Sequence, residues 1–464
     1  MPNIIALNSI FEQDPLKIKK LKKEKLLYII SFVYNLQIRN YESDYENDGF
    51  AVTICTKMFE KILAKKYKAY FKYLCDNNIL ELVSNHFAGV TCRKYCLTDQ
   101  FTIAPSFYTI TGFTFSKTLG RLAKKKTKNN KKYYYLEKWL TKIDFDVESA
   151  TVFNNLLFES RKNYQPFQTI SKKNRKRLSN PHNQYTNGQI SILKMQNKDN
   201  SVLVDDKGMR LHTRLTKCPK LLRNYISVNG QNLVSIDIKN SQPYMLLALL
   251  EPNNFKKMRT DHKPYLTILT SPPSLSYKIP SIIFRHSSKI LTSKGFQKYK
   301  KMVTNGSLYD EFVKMIKIDP KEIKSGFSAR DIVKFRFMLC FYSSNGSNSN
   351  GMKSVFRSEF PEIYALICDL KQKDHRALSI LLQKVESTLV LDKICGKISK
   401  EYPKIPLFTI HDSILTTQEY VNYVISIIEK ECEKYIGVSP KLTIEQCSPK
   451  INKKLLEEMD KELM

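Results

Sequence analysis

One stretch limits the possible folds more than any other: Leu233–Leu250, LVSIDIKNSQPYMLLALL. Val234, Ile236 and Ile238 alternate with Ser235, Asp237 and Lys239, so a strand buries one face and presents Asp237 on the other. Ser241 suits an N-cap, Pro243 is tolerated in a first helical turn, and Tyr244–Leu250 continue as helix. The carboxylate thus ends a strand just before a helix, a common place for a metal ligand. Many α/β proteins also end strands in aspartate for structural reasons, so the pattern alone leaves both readings open.

Two later segments have the same double character. In Ile405–Thr417, IPLFTIHDSILTT, two β-prone runs flank His411-Asp412 and make a tight hairpin with Asp412 at its tip. Aspartate favours turns, yet a carboxylate on an apolar hairpin loses hydration unless positive charge sits beside it. In Ser328–Tyr342, SARDIVKFRFMLCFY, Ser328 and Asp331 resemble a capping box. On the following helix Arg330, Lys334, Met338 and Tyr342 stand four apart, turning by only about 40° each. That stripe suits a triphosphate at its cationic end and a base at its aromatic end. An amphipathic helix with Arg and Lys in water is the plainer reading, with Phe335, Phe337, Leu339 and Phe341 as its apolar remainder.

Composition narrows the partners. The chain has 464 residues, enough for two or three domains, and 42% apolar residues exclude wholesale disorder. Lys and Arg total 76 against 44 Asp and Glu, a net charge of +32. Solubility needs far less; the excess points to a polyanion, nucleic acid before an anionic membrane. No apolar run approaches the roughly 20 residues of a membrane span, and the N-terminus lacks a secretion signal. Ten cysteines without C-x-x-C pairs fit free thiols in a reducing, intracellular compartment; Cys92 and Cys96 have no nearby histidine for zinc.

Residues 18–37 read as a helix. Thr53 or Thr56 caps a second running to residue 64, and a third carries Tyr67, Tyr70, Phe71 and Leu74. Extended runs follow at Ile79–Val83 and Cys92–Leu97, giving a winged-helix outline over 1–104. Lys65, Lys66, Lys68 and Lys72 then face DNA, with Arg93 on the wing; a protein-docking domain with a solvated lysine face is the alternative. Residues 105–206 hold two basic runs (117–132 and 171–178) and two helices, a basic linker with a thumb-like region. Asp146 and Glu148 mimic an exonuclease D-x-E inside a helical context, and no proofreading domain is evident. Residues 343–351, rich in Ser, Asn and Gly, read as a mobile loop.

Two separated carboxylates and a phosphate-gripping helix match two-metal nucleotidyl transfer, in which Mg²⁺ ions about 4 Å apart are bridged by acids. At these residues the sequence resembles the superfamily joining family A DNA polymerases and single-subunit, phage-type RNA polymerases. Asp237 falls on its motif A, Arg330, Lys334 and Tyr342 on motif B, and His411-Asp412 on motif C. Gly208–Arg210 and Pro219–Arg223 look like its minor-groove segment, and Gln383 and Glu386 lie in its template- and primer-side helix. The match spans about 207–450. Ser413 after His-Asp and Met338 are similar to the RNA polymerases, and Gln242 stands where the DNA enzymes use a glutamate gate against the ribose 2′-hydroxyl. The combination most resembles the transposon–virus branch.

The resemblance implies an α+β multidomain chain: a winged helix-like domain, then a right-hand polymerase over 207–464 with palm, fingers (about 251–350) and helical thumb. It implies two Mg²⁺, or Mn²⁺, held by Asp237, Asp412 and the Ile238 carbonyl. Arg330 and Lys334 hold the triphosphate, and Lys334 supplies a proton to pyrophosphate. Met338 and Tyr342 flank the base, Gln242 and His411 lie near the nucleotide, and Arg210, Arg223 and Gln383 touch primer–template. The partners are DNA primer–template, nucleoside triphosphates and replication proteins such as a helicase. The rivals are a phage-type RNA or primer-making polymerase, and a replication initiator on an inactive scaffold.

Overall fold

The computed structural model describes residues 4–40, 51–54, 56–63, 66–85, 92–98, 108–126, 130–163, 181–198, 200–251, 279–323, 328–349 and 351–463. It is a mostly helical α+β chain whose buried apolar side chains form two clusters, one running from Leu7 to Phe115 and one from Tyr133 to Cys447. No helix among the described residues is long and apolar enough to cross a membrane.

The first cluster is built from helices Ile4–Glu12, Pro15–Leu21, Lys23–Asn40, Thr56–Leu63, Tyr67–Asp76 and Phe113–Lys126, with strands β1 (Val52–Thr53), β2 (Leu80–Ser84) and β3 (Lys94–Leu97). The strands form an antiparallel sheet in the order β1-β3-β2. Tyr70, Phe71, Tyr73 and Leu74 bury one face of their helix, and Lys68 and Lys72 face outward. Two expectations are corrected. The helix over 18–37 is broken at Lys22, which sits at φ +66 with its N–H on the Ile18 carbonyl, where lysines 19, 20, 22 and 23 crowd together. Thr53 caps nothing, because Val52 and Thr53 pair with Tyr95 and Lys94.

The second cluster surrounds a sheet of β4 (Ile143–Phe145), β7 (Ile226–Val228), β8 (Gln231–Ile238), β9 (Phe408–Ile410), β10 (Ser413–Thr417) and β11 (Leu442–Gln446); β5 (Leu203–Val204) and β6 (Leu211–His212) pair separately. All these pairings are antiparallel, and β8 is the hub, bonded to β7, β10 and β11. Leu233, Val234, Ile236 and Ile238 of β8 are buried. Helix Ser241–Leu250 buries every residue from Gln242 onward. It is wrapped by helices Ile279–Thr292, Lys294–Thr304, Ala377–Ser387 and Val421–Ile436, which explains an apolar sequence on all its sides. Its N-cap is Asn240 rather than Ser241: the sharp strand-to-helix reversal puts the cap at φ +54, a conformation asparagine tolerates.

Residues 133–157 belong to this same core: Tyr133, Leu136, Leu140, Phe153 and Leu157 are buried in it, and β4 adds to the sheet through β7. Of residues 105–206, Phe115 is buried in the first cluster and Tyr133 to Val204 contribute to the second. Asp146 accepts from the Ser149 N–H and starts a helix, so its D-x-E is capping chemistry. The segment after Tyr342 is not a free loop. The Lys353 ammonium donates to the carbonyls of Ser344 and Ser347, at 2.6 and 2.8 Å, and Lys371 donates to Cys340 and Ser343.

β7 and β8 are joined by Asn229-Gly230, both at positive φ (+51 and +76), the turn a two-residue hairpin needs. Nothing stands within 4 Å of a Cβ placed on Gly230, so Gly230→Ala isolates the backbone cost. Urea unfolding is expected to show a loss of about 1 kcal/mol.

Candidate active site

The site is assembled by strand register. Ser413 of β10 lies opposite Asp237 of β8, and Ile410 of β9 lies opposite Ser413, leaving His411-Asp412 as a two-residue turn beside Asp237. His411 takes φ +57, an unfavourable conformation for a ring-bearing residue and typical of a constrained site. The Ser413 hydroxyl donates to Asp237 Oδ1. Burial raises the Asp237 pKa, and the Asp412 charge raises it further; the Ser413 bond and the Lys334 charge oppose the shift. Two acids and a cation, remote in sequence, thus act on one another.

Lys334 comes from helix Ala329–Tyr342, whose capping box forms as expected: the Asp331 N–H donates to Ser328 Oγ, and Asp331 accepts from the Ser328 N–H. Arg330 Nε lies 3.1 Å from Asp310, with its guanidinium 5.5 Å from the centre of the Tyr309 ring. Lys334 is exposed, while Met338 and Tyr342 pack against the core, so the stripe is cationic outside and apolar inside.

Behind the carboxylates runs a buried polar chain. Arg210 donates from Nε and Nη2 to the two oxygens of Glu386, at 2.9 and 3.0 Å. Gln242 Nε2 donates to Glu386 Oε2, and the Tyr342 hydroxyl donates to Gln242 Oε1 at 3.0 Å. Ser387 donates to the Gly208 carbonyl, and Gly208 lies against Gln383, whose Oε1 would stand 2.6 Å from a Cβ placed there and would have to shift. Immediately after Ser387 the helix turns π-helical over Thr388–Cys395, a local irregularity that often accompanies functional sites.

His411 stacks edge-on with His212, ring centres 5.7 Å apart, and His212 Nε2 lies 3.4 Å from Asp205. Burial lowers the His411 pKa most, followed by the charges of Arg210 and His212. Arg223 donates from Nε to the Cys218 carbonyl. Ile238 ends β8 one residue beyond Asp237, with its side chain buried.

The structure therefore brings together Asp237, Asp412, Lys334, Tyr342, Gln242, Arg210 and His411. Lys66, Lys68, Lys72 and Arg93 belong to the other core cluster's elements and are exposed there, and Lys72 lies 3.6 Å from Asp76. Lys65 lies outside the described residues. Sequence reasoning gave no site role to Tyr309, Asp310, Asp205 or His212, because nothing local marks them. The resemblance placed Glu386 of LLQKVES in a template- and primer-side helix; its part in joining Arg210 to Gln242 requires the tertiary fold.

No group of three or more His, Cys, Asp or Glu is arranged around a metal position among the described residues. The donors Asp237 and Asp412 are hard oxygens whose mutual repulsion a divalent cation relieves. They fit Mg²⁺ only as part of a shell completed by water, backbone and phosphate oxygens.

No protein-family model and no curated protein matches the sequence. Among solved structures, the POL domain of Pol1 from M. smegmatis, in complex with DNA primer-template and dNTP, is similar to this chain with a TM-score of 0.35 and 9% identity over 72% of each chain.

Glu386 is shifted from its ordinary 4.5 to about 7: burial raises it most, the Arg210 charge opposes, and the Asp412 charge adds to the rise. An acid with a raised folded-state pKa contributes stability that is fully present below 4.5 and lost as pH rises through about 7. Between pH 4.5 and 8 the wild type should therefore lose about 3 kcal/mol relative to Glu386→Gln. Urea midpoints of both proteins across that range check this; parallel curves contradict it.

Proposed function

We propose that the chain is a template-directed DNA polymerase, adding nucleotides to a 3′-hydroxyl by two-metal catalysis and replicating a mobile element, plasmid or viral genome. The observation that carries this reading is the β8–β10 register, with Ser413 opposite Asp237 and Asp412 next in the turn, under the influence of Lys334. Hydrolytic acid pairs do not call for a cationic helix beside them, whereas triphosphate chemistry does.

Asp237 and Asp412, with the Ile238 carbonyl, would hold Mg²⁺ or Mn²⁺, which lowers the pKa of the attacking hydroxyl and neutralises the leaving pyrophosphate. Lys334 and Arg330 bind the triphosphate, and Lys334 delivers a proton to the departing pyrophosphate. For Arg330 this means exchanging Asp310, an exposed partner of modest worth. Tyr342 and Met338 carry the base, Gln242 lies by the sugar, and His411 lies near the reacting ends. Arg210, Arg223 and Gln383 contact primer–template.

The N-terminal elements, helix Lys23–Asn40, β1, two helices and the β2–β3 pair, run in the order of a winged helix. In this reading Lys66, Lys68, Lys72 and Arg93 contact duplex phosphate there. A phage-type RNA polymerase or primer-making polymerase is the second reading, favoured by Ser413 bonded to Asp237 and by Met338. Synthesis from rNTPs without a primer distinguishes it.

Primer extension tests the proposal. Asp237→Asn and Asp412→Asn should each lower extension by about a thousandfold while leaving DNA binding intact. Undiminished extension by both variants overturns the reading. Replacing Lys66, Lys68 and Lys72 together with alanine should reduce the slope of log affinity against log salt by about 2 to 3, read from duplex binding at several salt concentrations.

A further inference from the structure

Four side chains from four segments form one directed hydrogen-bond chain at the site: Arg210, Glu386, Gln242 and Tyr342. We propose that Glu386 is a positioning residue that fixes the direction of this chain, so that the Tyr342 hydroxyl, held beside Gln242 at the sugar while the ring carries the base, meets the sugar of a bound nucleotide as a hydrogen-bond acceptor and not as a donor. The inference rests on the polymerase reading and deepens it.

The direction follows from donor and acceptor inventories. Glu386 is 1% exposed, and both its oxygens receive Arg210 donors. An ionised carboxylate only accepts, so the amide of Gln242, itself 8% exposed, must turn its NH₂ toward Glu386. That leaves Gln242 Oε1 facing Tyr342, and an amide oxygen only accepts. The Tyr342 proton is therefore committed to Gln242. What Tyr342 offers elsewhere is a lone pair, able to receive a proton from a sugar hydroxyl and unable to give one. An uncharged residue at 386 removes the compulsion: the amide of residue 242 can reverse, and the tyrosine proton is released.

Arg210 strengthens the arrangement from the far end. Its two parallel N–H bonds hold the carboxylate plane and favour the charged form. Glu386 thus couples a primer-side arginine to a nucleotide-side tyrosine without touching substrate. A merely structural glutamate would not alter the choice between sugars.

The test is single-nucleotide primer extension at pH 8, giving kcat and KM with dNTP and with rNTP. The proteins are wild type, Glu386→Gln, Glu386→Asp, Tyr342→Phe and the double variant Glu386→Gln/Tyr342→Phe. Glu386→Gln should shift the rNTP-to-dNTP ratio of kcat/KM about fivefold, the worth of one neutral hydrogen bond. Glu386→Asp keeps the charge but is one methylene shorter, so it holds Arg210 and releases Gln242; it should shift the ratio the same way even where the Gln variant is too unstable to assay. In the Tyr342→Phe background the Glu386→Gln shift should vanish, since no hydroxyl remains to be redirected. An unchanged ratio in both Glu386 variants, or a shift that persists without the tyrosine hydroxyl, overturns the inference while extension by wild type leaves the polymerase reading standing. No extension by wild type with either nucleotide overturns both.

Discussion

The pairing of the Asp237 end of β8 with β10 on one edge and β11 on the other is the constraint on which the site depends. Side chains alternate along a strand, so slipping β10 by one residue would exchange Ser413 for Ile414 opposite Asp237 and turn the acidic face toward the core. Three features hold the register. Ile236 and Ile238 are buried on the face opposite to Asp237. The His411-Asp412 turn allows only two residues between β9 and β10. Thr443 of β11 also lies opposite Asp237, closing the second edge. The positive φ of His411 is the local cost of so short a turn, offset by the sheet on either side.

Charge accounting around that register explains why the two acids remain poised. The chain carries an excess of 32 positive charges, yet the cations nearest the site are mostly engaged: Arg210 by Glu386, and Arg330 by Asp310. Lys334 alone among the motif cations acts on Asp237, and it does not cancel the combined effect of burial and Asp412, so the Asp237 pKa stays raised. An acid pair left short of positive charge is a favourable position for a divalent cation, whose field outweighs that of one ammonium. Glu445 adds to the deficit and is itself drawn toward Lys220, at 2.5 Å.

Local pattern made the parts of the site legible, and partner choice stayed hidden. Period-two alternation identified β8, the Ser328–Asp331 spacing identified the capped helix, and β-prone runs around His-Asp identified the hairpin; each depends on residues within a few positions. Tyr342 and Glu386 lie 100 and 144 positions from Gln242, the residue both contact, and no periodicity reports such contacts. The ordered segment after Tyr342 was missed for the same reason. Ser, Asn and Gly signal a loop, while the ammonium groups that organise it come from Lys353 and, on another helix, Lys371. The break at Lys22 and the cap at Asn240 are single-residue backbone choices, below the resolution of composition.

Rigidity of the cationic helix links these observations. At its N-terminus the Ser328–Asp331 box satisfies free N–H groups; at its C-terminus Lys371 binds the Cys340 and Ser343 carbonyls, adding positive charge at the negative end of the helix dipole. Its final residue, Tyr342, is tied to Gln242 in the first turn after β8. The sheet that carries Asp237 and the helix that carries Lys334 are therefore joined by a hydrogen bond between their supporting elements, independent of any attraction between acid and ammonium. The separation of the two charges is set by the scaffold and does not depend on which partner Lys334 faces. Geometry held only by the acid–lysine attraction would relax once that attraction weakened, whereas a geometry held by the hydrogen-bonded supports would not.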